Sequence, residues 1–279
     1  MWKSNINPIF RSQLSETIFN NKYRHDQCET WDDLVNTLVD DVCSGVMVKD
    51  EIDQLKQYMR DMKFIPGGRY LYYAGRPVKF FNNCYLLRCE EDSREDWANL
   101  SWKAESCLRT GGGIGADYSR YRAGGSTIKR TGGESSGPVP KMEMVNEIGR
   151  RVIQGGSRRS AIYASLNWKH GDIQSFLKAK DWHNQEIVPG LTHWDAKQKN
   201  FNNHAPLDMT NISVNYDTEW LMNYYKTGDY GKVFLSNVRQ ALQTGEPGFS
   251  FNFFNQEEET LRNACTEVTS ADDSDVCNL

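Results

Sequence analysis

The pattern that most restricts the fold starts near residue 63, where short apolar runs alternate with amphipathic segments and the joints are rich in glycine. Residues 82–89 (NNCYLLRC), 158–166 (RRSAIYASL) and 211–216 (NISVNY) read as strands, while 96–110, 141–154, 218–227 and 232–242 carry helical spacing. Strands alternating with helices predict an α/β arrangement with parallel strands. Residues 180–206 have too weak a period to assign. Before this region, 12–23, 31–46 and 49–62 read as helices, with Asp32 and Asp33 placed for a first turn. The Pro- and Gly-punctuated passage 64–77 marks a boundary, so the expected domains are a helical region 1–62 and an α/β region 63–279.

Charge excludes one class of partner. The chain carries 33 basic and 37 acidic residues, interspersed, with a net charge of -4 and no basic stripe for a nucleic-acid backbone. No run approaches the ~18 apolar residues of a membrane span, and MWKSNINPIF lacks the apolar core of a secretory signal. A soluble, cytoplasmic protein is expected. The seven cysteines are scattered, odd in number and without a CxxC pair, which fits neither a disulfide framework nor structural zinc. No metal site is expected.

Thr110–Ser119 (TGGGIGADYS) contains four glycines but runs from a helix into a strand, the reverse of the dinucleotide-binding order. A structural turn and a backbone cradle for a ligand fit it equally well. Two polar loops, 122–138 with Lys129 and Arg130 and 153–161 with Arg158 and Arg159, have the composition of phosphate cradles and equally of surface loops. Residues 263–267 (NACTE) place a carboxamide, a thiol and a carboxylate at alternate positions, which in extended chain would point to one side. An exposed loop with an incidental cysteine is the alternative.

Taken together, NNCYLL, GGGIGADYSRYR, SGPVP, GSRRSAIYASL, NISVNYD, TGEPGFSFNF, NACTEV and VCNL resemble, in order and spacing, the catalytic chains of ribonucleotide reductases. The likeness is strongest to the adenosylcobalamin-dependent class II enzymes, whose N-P-C-G-E motif is matched by NACTE, with Ala264 for Pro and Thr266 for Gly. The resemblance implies a ten-stranded α/β barrel of two parallel halves with a central finger loop, of which this chain carries the helical start and the first half. It implies that Cys265 carries a thiyl radical, Glu267 is a general base, Asn263 orients the substrate, and Cys84 and Cys277 form a reducing pair. Asn83 and Gly113 would line the substrate site. Asp92, Lys129 and Arg130 would contact dNTP or ATP specificity effectors, with loops 124–137 and 154–160 as the two specificity loops. Cys28, Cys43, Cys89 and Cys107 match no catalytic position and read as packing.

The implied partners are a ribonucleoside di- or triphosphate, a thioredoxin-like reductant, a second copy in a homodimer, and a C-terminal half supplied elsewhere. The sequence stops at the expected sixth strand, which suggests the N-terminal part of a reductase, and its start directly in the helical region leads to the expectation that the ATP-binding domain of many relatives is lacking. Two alternatives stay open: a class I chain whose radical comes from a separate subunit, and a nucleotide-binding remnant without chemistry.

Overall fold

The computed structural model describes residues 9–152 and 160–278. They form two compact units that divide between Asn82 and Asn83. The first contains α1 (Gln13–Ile18), α2 (Trp31–Cys43), α3 (Lys49–Arg60) and α4 (Gly68–Tyr73). Thr30 opens α2: its hydroxyl accepts the Asp33 N–H while the Asp33 carboxylate accepts the Thr30 N–H, a reciprocal cap. Trp31, Leu34, Val35, Leu38 and Val39 then fall on one buried face, and the Trp31 indole donates to the Met59 carbonyl at 3.0 Å.

The boundary lies later than the expected residue 63. The Gly-rich passage folds into α4, whose Leu71, with the following Ala74, enters the core built on α2, and Tyr70 stacks on Phe81 at 4.7 Å. Glycine punctuation marks a turn into this helix rather than the end of the unit.

The second unit runs β1 (Cys84–Arg88), α5 (Arg94–Arg109), β2 (Gly113–Asp117), α6 (Pro138–Arg151), β3 (Ile162–Asn167) and α7 (Ile173–Leu177). A small hairpin of β4 (Glu186–Val188) and β5 (Leu191–Thr192) leads into α8 (His193–Lys199), and these short pieces account for the weak period of 180–206. Then follow β6 (Thr210–Tyr216), α9 (Thr218–Thr227), α10 (Gly231–Thr244), β7 (Gly248–Phe251), β8 (Leu261–Arg262), β9 (Thr269–Ser270) and β10 (Val276–Cys277). One six-stranded sheet has the order β10-β1-β2-β3-β6-β7. Its five longer strands are parallel and β10 is antiparallel to β1. This is the expected α/β class, with five parallel strands followed by the reversed start of a sixth.

Every residue of β2 is buried, as are five of six in β3 and six of seven in β6, so these strands are covered on both faces, and β6 buries Thr210, Ser213 and Asn215 alongside its apolar residues. Leu87, Ile114, Ile162 and Val214 from the strands pack with Leu100 and Leu108 of α5 and Met142 and Val145 of α6. Cys28 and Cys89 are buried, and Cys43 and Cys107 are half-buried. Among the described residues no helix is long and apolar enough to cross a membrane.

A buried ionic knot ties the outer helices to the sheet. Asp208, in the turn before β6, accepts from Arg150 of α6 at 3.0 Å and Lys197 of α8 at 2.6 Å, and its side chain is 2% exposed. Burial works against ionisation, but the hydrogen bonds and charges of Arg150 and Lys197 prevail and hold the carboxyl at about 2. An unfolded Asp titrates near about 3.9, so this group stabilises the fold above that pH and loses its contribution as pH falls toward 2. Urea titrations should show stability falling by roughly 2 kcal/mol from this group between about pH 4 and pH 2. At neutral pH Asp208→Asn should cost about 3 kcal/mol or more, because two cations are left facing a neutral amide, and the variant should lack that acid-sensitive component.

Candidate functional site

The site is organised by a backbone-to-backbone approach. A Cβ built on Gly115, in the middle of β2, would lie 1.7 Å from the carbonyl oxygen of Arg262 in β8. The β8–β9 hairpin therefore crosses the sheet directly on β2, and only glycine admits it. The same segment bears on Gly113, where a Cβ would meet the Ala264 methyl at 2.8 Å and the Cys84 sulfur at 3.2 Å, whereas at Gly112 it would meet the Tyr85 ring of β1 at 2.4 Å. Of the two readings of TGGGIGADYS, the structural one fits: Gly111 takes φ 85° in the turn after α5, and the chain itself packs closely on Gly113 and Gly115.

Polar side chains fix the hairpin at its base. Arg262 donates through Nε to Ser250 Oγ at 2.6 Å and through Nη2 to Asn252 Oδ1 at 3.2 Å, reaching β7 and the residue after it. Thr260 donates to the buried Asp117 carboxylate at 2.5 Å, and Thr269 donates to Glu259 at 2.8 Å. None of these anchors was anticipated. Asp117 is the one with a sequence signal: a carboxylate inside an otherwise apolar, Gly-rich strand must find partners.

At the tip, residues 263–268 form a tight turn rather than extended chain. The Thr266 N–H donates to the Asn263 carbonyl at 3.0 Å, and the Asn263 side-chain oxygen accepts the Val268 N–H at 3.0 Å. Asn263 is fully buried, and its Nδ2 has no protein acceptor among the described residues. Cys265 and Glu267 are exposed. The three side chains thus do not align as period-two geometry predicts: Asn263 closes the turn from within while Cys265 sits at its crest. Thr266 adopts φ 72°, a left-handed conformation that is an outlier for a β-branched residue.

Beneath the tip lie the other two candidate thiols. Cys84 and Cys277 stand directly opposite each other across the antiparallel β1–β10 pair, both 5% exposed, and pack with Ala264. Opposed residues of such a pair have Cβ atoms about 4.5–5.5 Å apart, within a small adjustment of disulfide geometry. Burial, followed by the proximity of Cys84, Glu267 and Cys265, raises the Cys277 pKa. Those neighbours place all three cysteines and Glu267 in one electrostatic neighbourhood. Asn83 links the strands on either side: its N–H donates to the Cys277 carbonyl at 3.0 Å and its carbonyl accepts the Gly113 N–H at 2.8 Å. Its side-chain oxygen is buried without a partner among the described residues.

The candidate effector residues fall into two groups. Asp92 is held by Arg122, whose Nε meets Oδ2 at 2.7 Å and whose Nη2 meets the Asp92 carbonyl at 2.8 Å, while the Trp97 indole donates to Oδ1 at 2.5 Å. Lys129 and Arg130 are exposed on a hydrogen-bonded hairpin closed by the Thr127–Glu134 bridge, and neither forms an ion pair among the described residues. Arg122 was not singled out from sequence, where it looks like any loop arginine. The second expected specificity loop, 154–160, lies almost wholly outside the described residues. A separate polar cleft of about 410 Å³ opens at the carboxyl ends of β2, β3 and β6, between Asp117, Arg120, Lys169 and Asp217. No expected site residue lines it. No group of three or more His, Cys, Asp or Glu side chains suited to a metal occurs among the described residues.

Residues 82–279 match the family model described as the barrel domain of ribonucleotide reductase. A vitamin B12-dependent ribonucleoside-diphosphate reductase of Thermoplasma acidophilum is 28% identical over 212 residues, covering 74% of this chain and 26% of that protein. The ribonucleoside-diphosphate reductase large chain of Cryptosporidium parvum is 26% identical over 242 residues, covering 75% and 30%. Among solved structures, the Actinobacillus ureae class Id ribonucleotide reductase alpha subunit superposes with a TM-score of 0.73 at 17% identity, covering 98% of this chain and 49% of that one. The chain thus spans about a quarter to a half of these proteins.

Two substitutions test the hairpin. Gly115→Ala should destabilise the second unit by about 3 kcal/mol or more, because two backbones must separate, and should speed alkylation of Cys84 and Cys277. Thr266→Gly should do the reverse, raising stability by about 1 kcal/mol in denaturant titrations by relieving the left-handed strain, with the buried thiols no more reactive than before.

Proposed function

Because this chain belongs to the ribonucleotide reductase family, carrying residues of its barrel domain, we propose that it supplies the thiol chemistry that reduces ribonucleotides to deoxyribonucleotides. The observation that carries this reading is the placement of Cys265 at an exposed crest above the opposed, buried Cys84 and Cys277. In this reading Cys265, as a thiyl radical, takes the ribose 3'-hydrogen atom. Glu267 accepts the 3'-hydroxyl proton, which eases departure of the 2'-hydroxyl. Cys84 and Cys277 give up two protons and two electrons as their S–S bond forms: one proton leaves with the 2'-hydroxyl as water, the other with the two electrons makes the new C2'–H bond, and Cys265 and Glu267 then return the hydrogen atom to C3' and the proton to O3'. The raised Cys277 pKa supports this role, since a thiol that stays protonated has a proton to give. Asn263 keeps its Nδ2 for a substrate oxygen because its Oδ1 is spent on the turn. Asn83 and Gly113 lie at the same end of the strands and are read as part of the substrate wall.

A one-electron oxidant must come from outside these side chains, and adenosylcobalamin would supply it by homolysis of its cobalt–carbon bond. The exposed Cys265 fits a source that docks against the crest, whether a cobalamin or, in the class I alternative, a radical-generating subunit. NACTE and the short step to Cys277 favour the cobalamin. We assign turnover to the complete barrel, with a ribonucleoside di- or triphosphate as substrate and a thioredoxin-like dithiol regenerating the pair. Asp92 with Arg122, and Lys129 and Arg130, are proposed to answer to dNTP or ATP effectors.

The test is turnover of the chain complemented with the remaining barrel sequence, in the presence of adenosylcobalamin and a dithiol, followed by electron paramagnetic resonance. Deoxyribonucleotide formation is expected, together with a cobalt(II)-coupled thiyl signal that vanishes in Cys265→Ser. Glu267→Gln should lower kcat by about 10²-fold or more. Turnover only with an added metal-containing subunit would move the chain to class I. Effector binding by calorimetry without turnover under any complementation would leave a binding remnant.

A further inference from the structure

We propose that Asp273, gripped by Lys103, is a positioning residue that sets the register in which Cys277 faces Cys84; this rests on reading those two thiols as a reducing pair. The register matters because a slip of one residue would turn Cys277 to the opposite face of the sheet, and Asp273 bonds β1 four residues before Cys277.

Beside the β1–β10 pairing itself, main-chain bonds join this segment to β1 and its leading residue: Asn83 N–H to the Cys277 carbonyl at 3.0 Å, Leu86 N–H to the Asp275 carbonyl at 2.8 Å, and Ser274 N–H to the Leu86 carbonyl at 2.8 Å. At the next position along β1 the partner changes kind. The Arg88 N–H donates to Asp273 Oδ1 at 2.8 Å, so a side-chain carboxylate takes the place of a strand carbonyl and lengthens the ladder. The other carboxylate oxygen receives the Lys103 ammonium from α5. Both side chains are largely withdrawn from solvent, at 23% exposure for Lys103 and 16% for Asp273. Ser274 then takes φ 70°, which turns the chain from the clamp into β10.

The neighbouring carboxylates of this acidic run do something else. Asp275 bonds the Ser270 hydroxyl, and Asp272 is exposed. Asp273 alone among them reaches β1 and α5, so the clamp is a property of one residue rather than of local charge. Losing a charge-assisted hydrogen bond at a part-buried site changes an equilibrium by about tenfold or more, and here the equilibrium is that of the correctly opposed thiols.

The experiment equilibrates the reduced 279-residue chain with mixtures of dithiothreitol and its cyclic disulfide. Cys84 and Cys277 together give up two electrons and two protons to form their S–S bond, and the cyclic disulfide takes both up to become the dithiol. The Cys84–Cys277 bond is quantified by alkylation and peptide mapping, with thermal melts run alongside. Asp273→Ala should lower the equilibrium constant for this bond by about tenfold or more. Asp273→Asn, which keeps an oxygen for the Arg88 N–H, should lose less, Lys103→Met should fall between, and Asp275→Asn should stay within about twofold of wild type. If Asp273→Ala proves unable to fold, the Asn and Lys103→Met variants carry the test through the same constant. An Asp273→Ala or Lys103→Met value within about twofold of wild type, or an equal loss in Asp275→Asn, overturns the clamp. Failure of the wild-type chain to form a Cys84–Cys277 bond at any ratio overturns the thiol-pair reading and the clamp with it.

Discussion

The absence of a side chain at Gly115 is the condition on which the site rests. It lets the Arg262 carbonyl lie against β2, and from that contact the rest follows in order. Arg262 can then reach Ser250 and Asn252 on the far side of the sheet, Thr260 can reach Asp117, and Ala264 comes to rest over Gly113 and Cys84. A loop six residues long held at both ends has little freedom left. This is the setting in which a left-handed threonine persists, because the surroundings determine the backbone more strongly than the residue does.

Much of this fold was legible in advance. The period change near residue 63 announced an α/β region, and β2, β3 and β6 are buried over nearly their whole length, as parallel strands covered on both faces require. The first turn of α2 was readable too, since Asp32 and Asp33 sit where the positive end of the dipole favours carboxylates. The domain edge was not. Glycine and proline report local turns, whereas the unit boundary depends on where Leu71 and Ala74 are buried, a long-range fact that no local signal carries.

The candidate site was legible by residue type and not by geometry. Motif resemblance marked Cys84, Asn263, Cys265, Glu267 and Cys277 as candidates, but alternation alone gave the wrong picture of 263–267. Extended chain was the natural assumption, and the hydrogen bonds of Asn263 replace it with a turn. The residues that hold the site in place were silent because their meaning is relational. Asp117, Arg262, Arg122 and Asp273 look like ordinary charged residues until their partners, up to 185 positions away, are known.

The reversed β10 has an electrostatic consequence. Cys84 and Gly113 are the first residues of their strands, so the thiols gather at the amino ends of the parallel sheet. Open α/β sheets usually present ligands at the opposite edge, where helices begin and their positive ends attract anions. Here α5 ends at Arg109 and α10 at Thr244, each four residues before the next strand, so it is helix ends carrying about half a negative charge that face this side. Such a field disfavours added negative charge at this end of the sheet. An anionic group brought to this end of the sheet would therefore need its counter-charge from elsewhere.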